Sequence, residues 1–173
     1  MAYQKLQGLE ALSVIPSATV RIPDPSSVVV LDTATGQTEG TADFSVASTL
    51  TTATPAAPGF STAGIRVGAI IYNTTTSVAY TVTGVTSDTV LAITPATTGG
   101  ATDSYTIYNK PTTGCILYVG GTGNLTVQMA QINGNTTTAA TPANQTVAFN
   151  NLPNASFLPL QVVRVAATGT AAT

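Results

Sequence analysis

Residues 78–94 read as two strands joined by a tight turn. In Val78-Ala79-Tyr80-Thr81-Val82-Thr83-Gly84-Val85-Thr86, β-branched and aromatic residues recur at a period of two, which places one set of side chains on each face of a strand. Ser87-Asp88 interrupts the run, and Asp and Ser favour turns because their side chains bond the nearby backbone. Thr89-Val90-Leu91-Ala92-Ile93-Thr94 then returns, completing a hairpin. Segments of this kind recur along the 173 residues, while long stretches with apolar residues spaced for a helix are absent. The expected fold class is therefore all-β: a small β-sandwich or barrel with an inserted small β-unit and an extended N-terminal arm.

Punctuation by Pro, Gly and polar runs divides the chain into three regions. Residues 1–42 form an N-terminal arm and the first strands. Ile15-Pro16, Ile22-Pro23 and Asp24-Pro25 each hold the preceding residue extended, and proline cannot donate to a central ladder. The arm should run along an edge or over a surface, with Ser27-Val28-Val29-Val30-Leu31 as a compact strand. Residues 43–110 form the inserted β-unit, within which a Thr-, Ala- and Pro-rich stretch over 49–58 reads as a loop or linker. Its strands are expected over 65–72, in the hairpin, and at Tyr105-Thr106-Ile107-Tyr108, with turns over 73–77 and 97–101. Residues 111–173 complete the main β domain with strands over 116–119, 124–130, 146–149 and 157–165 and a polar loop over 133–144. Pro159 inside the last strand requires an edge position or a bulge. Gly120-Gly121-Thr122-Gly123, between two strands, reads as a hairpin turn rather than a phosphate cradle, because no helix and no P-loop Lys follow it. The tail from 166 onward fits a final strand or an arm.

Composition excludes most chemistry. Only 7% of the chain is charged, against about 25% in ordinary soluble domains, there is no His or Trp, and about a fifth of the residues are Thr. Without His, the common nucleophile–base triads cannot be assembled. Asp24, Asp32, Glu39, Asp43, Asp88 and Asp103 lie mostly beside Gly, Pro, Ser or Thr and read as turn formers; Glu10 is the seventh acid. The stretch from Asp32 to Glu39 has a passing likeness to a calcium loop, with too few acids at the wrong spacing. No catalytic, cofactor-binding or metal-ligating residue is assigned, no cofactor is expected, and the chain reads as no enzyme. Cys115 is the single cysteine, sits in an apolar run and reads as a packed thiol, consistent with folding in a reducing cytoplasm. Net charge is -2, and the five cations Lys5, Arg21, Arg66, Lys110 and Arg164 are dispersed, so no nucleic-acid partner is expected. No run approaches the roughly 18 apolar residues of a membrane span, and the N-terminus lacks the apolar core of a signal peptide.

The C-terminal third carries the most specific pattern. Gly114-Cys115-Ile116-Leu117-Tyr118-Val119-Gly120-Gly121-Thr122-Gly123-Asn124-Leu125 precedes Val147-Ala148-Phe149-Asn150-Asn151-Leu152-Pro153. Phe157-Leu158-Pro159-Leu160-Gln161-Val162-Val163-Arg164-Val165 and Ala167-Thr168-Gly169-Thr170-Ala171-Ala172-Thr173 follow. This order resembles small virion proteins of tailed bacteriophages and is similar to head-spike-base proteins of gene transfer agents. Gly64-Ile65-Arg66-Val67-Gly68, Tyr72-Asn73-Thr74-Thr75 and Ser87-Asp88-Thr89 resemble a module of phage structural proteins, and the segment from Pro16 to Pro25 fits more loosely. The chain departs from the pattern in a longer loop over 131–144 and in Ala69, where the module usually has Asp. The resemblance implies a capsid decoration or cement protein on the exterior of an icosahedral head, made in the host bacterial cytoplasm. Its implied partners are the major capsid protein and further copies of itself, as a homotrimer, with neither nucleic acid nor membrane. The alternative it leaves open is a head spike, fibre or tail-associated protein that recognises host surface glycans. For the cement reading, residues 1–25 are expected to contribute more to shell binding than to folding.

Overall fold

The structure is a computed structural model that describes residues 11–52, 59–130 and 146–171. Two antiparallel sheets hold the ten strands of the described residues, and the fold is all-β. The first comprises β1 (Glu39–Ala42), β2 (Thr49–Thr51), β3 (Ile70–Asn73), β4 (Val78–Val85), β5 (Val90–Thr94) and β6 (Asp103–Tyr108), in the order β1-β6-β3-β4-β5-β2. Its ends nearly meet: Asp43 N donates to Thr51 O at 2.7 Å and Thr51 N to Asp43 O at 3.0 Å, which draws the sheet into a barrel. This sheet begins at Glu39, and Val29 and Leu31 pack into its core, so the barrel also recruits residues that precede position 43.

The period-two pattern explains the barrel interior. Tyr80 and Val82 of β4, Leu91 and Ile93 of β5, Tyr105 and Ile107 of β6, and Ile71 of β3 all point inward and are almost fully buried. Phe44 stacks on Tyr80 at 5.6 Å between ring centroids and meets Tyr105 edge-on at 6.0 Å. Burying each such ring contributes roughly 2–3 kcal/mol. Phe60 and Ile65 close over this core, held in place where Phe60 N donates to Asp88 O at 3.0 Å and Ser61 N to Asp88 Oδ1 at 3.1 Å. The expected hairpin is β4–β5, with a register shift between Val82 and Gly84. The expected strand over 65–72 shortens to β3. Gly64 and Gly68 adopt φ of +73° and +91°, and these left-handed residues turn the chain before pairing begins at Ile70.

The second sheet comprises β7 (Cys115–Val119), β8 (Gly123–Met129), β9 (Thr146–Leu152) and β10 (Ser156–Val165), in the order β7-β10-β8-β9. β7 and β8 do not pair with each other, so residues 120–122 are not a hairpin turn. Val119 pairs with Ser156, whereas Gly123 pairs with Leu152. Residues 120–122 and 153–155 are thus facing corners at which two long strands exchange partners. Pro159 lies in central β10, inside the register shift between Leu158 and Val162, so it occupies a bulge and not an edge. The expected polar loop over 133–144 lies outside the described residues. The tail docks beside β8 without forming a strand: Ala171 N donates to Asn124 O at 2.7 Å and Thr126 N to Thr170 Oγ1 at 3.1 Å.

The N-terminal segment joins the two sheets. Asp24, before Pro25, is extended as expected, at φ -81° and ψ 114°, and the apolar residues Val20 and Ile22 of the segment are buried. Val20 covers Ile70, Tyr72, Ala79 and Tyr108 on the outer face of the barrel, and Ile22 enters the second core beside Leu117, Leu125, Val127 and Val162. Ser17 N donates to Val165 O at 2.9 Å, Ile22 N to Val163 O at 2.8 Å and Thr112 N to Ile22 O at 2.8 Å. Ser27-Val28-Val29-Val30-Leu31 does not form the expected strand. Asp24 caps a short 3-10 turn over Pro25–Ser27, and only Val28 bridges to β6, at Tyr108. Alternation survives without the ladder: Val29 and Leu31 are buried, Val28 and Val30 exposed.

Candidate interaction surface

The acids do structural work. Asp24 Oδ1 accepts from Ser26 N at 3.0 Å and Ser26 Oγ at 2.7 Å. Asp32 accepts from Thr35 Oγ1 at 2.7 Å and Ala34 N at 2.8 Å, and Asp43 Oδ1 from Ser45 N at 2.7 Å. Side-chain hydrogen bonds from Thr35 to Asp32 and from Ser45 to Asp43 hold both carboxyls below the usual range. The loop that follows Asp32 is a turn: Leu31 N and Asp32 N both donate to Gln37 O, with Gly36 at φ +71°. Asp103 is buried and accepts from Asn73 Nδ2 at 2.8 Å and Gly100 N at 2.9 Å, which closes the turn before β6. Among the described residues no three His, Cys, Asp or Glu side chains gather in a metal-binding group.

Cys115 is half-buried and its thiol donates to Val162 O at 3.3 Å. Burial pushes its pKa up, the opposite of what an activated thiol requires. Arg164 is buried at the joint between the sheets. Its Nε donates to Gln128 Oε1 at 3.0 Å, and one terminal nitrogen donates to the carbonyls of Ser17 and Ala18. The cation ties the N-terminal segment to β8 and β10.

Arg164 is also the only charged side chain in residues 111–173. With it buried, the second sheet presents an uncharged exterior. On that exterior stand three large apolar side chains: Ile116, 41% exposed, Tyr118, 59%, and Phe157, 71%. Tyr118 and Phe157 are cross-strand neighbours with ring centroids 5.0 Å apart. Leu117 and Val119, of opposite parity, fill the core. Sequence reasoning places the aromatics in cores and interfaces without saying which serve where. Both parities of Cys115-Ile116-Leu117-Tyr118-Val119 are apolar, so alternation alone cannot identify the outer set. The signal that was available is the absence of charge across the whole C-terminal third. No protein-family model matches the chain, and comparison with curated proteins and with solved structures finds no significant match.

Proposed function

We propose that the chain is a non-enzymatic virion structural protein that decorates and stabilises an icosahedral phage head by surface contact with the major capsid protein. The observation that carries this reading is the uncharged exterior of the second sheet, with Ile116, Tyr118 and Phe157 exposed on it. Docking an uncharged surface strips no water from ions, and the apolar side chains gain on being covered. The resemblance of residues 114–173 to phage virion proteins points the same way. The N-terminal segment takes a smaller part in attachment than its prolines imply, because Val20 and Ile22 are spent on the protein's own cores.

The test is quantitative protein analysis of purified particles of the phage that encodes the chain. Decoration requires hundreds of copies per head, lost together with head stability when the gene is deleted. A few copies per particle would replace this reading with the spike or fibre alternative. Absence from the particle would end both.

A further inference from the structure

β7 is an edge strand: it pairs with β10 on one side, and among the described residues no strand pairs with the other. Natural sheets guard such edges with Lys, Pro, an inward-pointing charge or a very short strand. β7 carries none of these over five residues, Cys-Ile-Leu-Tyr-Val. We propose that β7 is a self-association edge, at which two copies of this chain pair their β7 strands antiparallel across a two-fold axis.

The occupant follows from self-complementarity. Antiparallel pairing centred on Leu117 sets Leu117 opposite its own copy and Ile116 opposite the second copy's Tyr118. Directly opposed residues share a face. Phe157 already sits across from Tyr118 on β10. One register therefore builds two symmetry-related rows, each running from Phe157 to Tyr118 to the Ile116 of the other copy, on one face of an eight-stranded sheet. An isologous contact requires one patch to satisfy itself, and this patch does so without a charge to repel its copy. A charged partner finds nothing on it to match.

Area sets the strength. The exposed parts of Ile116, Tyr118 and Phe157 offer about 300 Å² of apolar surface per chain. A stable interface needs roughly 800 Å² per partner, so the strand edge and flanking polar groups supply the larger share. The expected dimer is of micromolar affinity, weaker than an obligate one. It forms in free solution and so stands apart from the decoration reading.

The experiment is sedimentation equilibrium of the full chain over a range of micromolar concentrations. The wild type should approach twice its 17.4 kDa mass with rising concentration. Tyr118→Lys, at an exposed position, should keep the wild-type circular dichroism and weaken association at least ~10-fold, because the symmetric contact places each new charge beside the facing edge. Val147→Lys, on the opposite edge strand β9, should leave the mass unchanged. A monomeric wild type at high micromolar concentration would overturn the proposal. So would a folded Tyr118→Lys variant that associates like wild type, or a Val147→Lys variant that dissociates.

Discussion

The six-stranded sheet encloses its aromatics, and the four-stranded sheet displays them. Phe44, Phe60, Tyr80 and Tyr105 are essentially inaccessible inside the barrel, whereas Tyr118 and Phe157 stand on the outside of the second sheet. The barrel nearly closes on itself through Asp43 and Thr51, so few of its edge groups lack a partner. Among the described residues the second sheet keeps two edges, and it fills its core with Leu and Val together with Ile22 from the N-terminal segment. A closed sheet satisfies its own backbone and can spend large side chains on the interior. An open one of similar composition leaves surface for something else to cover. The barrel therefore encloses its large side chains, and the second sheet is the one that leaves some of them uncovered.

Emptying the barrel core should break that division most severely. Phe44→Ala removes a ring packed on both Tyr80 and Tyr105 and is expected to cost about 4 kcal/mol in denaturant unfolding. Val127→Ala, at the centre of the second core, should cost about 2 kcal/mol by the same measurement. Equal losses would erase the distinction between the two sheets.

Next in size is Arg164→Ala. It leaves the carbonyls of Ser17 and Ala18 without their donor and should cost about 3 kcal/mol. Hydrogen exchange should rise first at Ile22 and Thr112, where the N-terminal segment meets the second sheet, and remain slow at Ile71 and Ile107 in the barrel. A uniform rise across both sheets would mean that the segment is not a separable joint.

Alkali probes the titratable groups that burial shifts upward, which apart from Cys115 lie on the barrel. Burial raises the pKa of Tyr72 and Tyr105 above the ordinary tyrosine value. The folded state therefore holds both rings neutral, and their contribution is complete below about pH 10 and is lost as pH rises through the raised folded values. Unfolding free energy should fall by about 1.4 kcal/mol per pH unit for each ring above that point. Between pH 5 and 9 thermal stability should stay nearly flat, because the chain has no His. Tyr105→Phe should make the alkaline fall shallower without abolishing it, because burial also raises Tyr72, Tyr108 and Cys115; an unchanged slope would remove Tyr105 from the explanation.

The smallest effect belongs to the displayed aromatics. Tyr118→Ser in dilute solution should cost about 0.5–1 kcal/mol, the worth of one cross-strand pair. A larger loss would mean that the outer face serves folding as well as contact.

Strands with opposite characters on their two faces were legible in the sequence, and those with the same character on both were not. In β4 and β5 alternation and turn chemistry agree, so the hairpin appears where the residues demand it. Pairing partners are a different kind of information. Gly120-Gly121-Thr122-Gly123 permits a hairpin locally, but β7 pairs with β10, more than thirty residues later in the chain, and no local rule ranks the two choices. Pro159 narrows its own position to two options, and the register shift of β10 against β7 between Leu158 and Val162 decides for the bulge. The burial of Val20 and Ile22 was hidden for another reason: lone apolar residues among Pro, Ser and Arg show no period, and only the faces they meet reveal their role. The candidate surface was half legible. Its lack of charge can be read directly, while the choice of Ile116 and Tyr118 over Leu117 and Val119 requires knowing where the core lies.

The hydrogen bond from Ser17 to Val165 has a consequence for the order of events during synthesis. Ser17 precedes every described strand in the chain, and its docking site lies on β10, which follows the other nine. By the time β10 is made, every strand of the barrel has been available to fold, and loop closure of this length is slow compared with pairing neighbouring strands. The N-terminal segment is thus expected to be placed last, as a seam drawn across two sheets already formed.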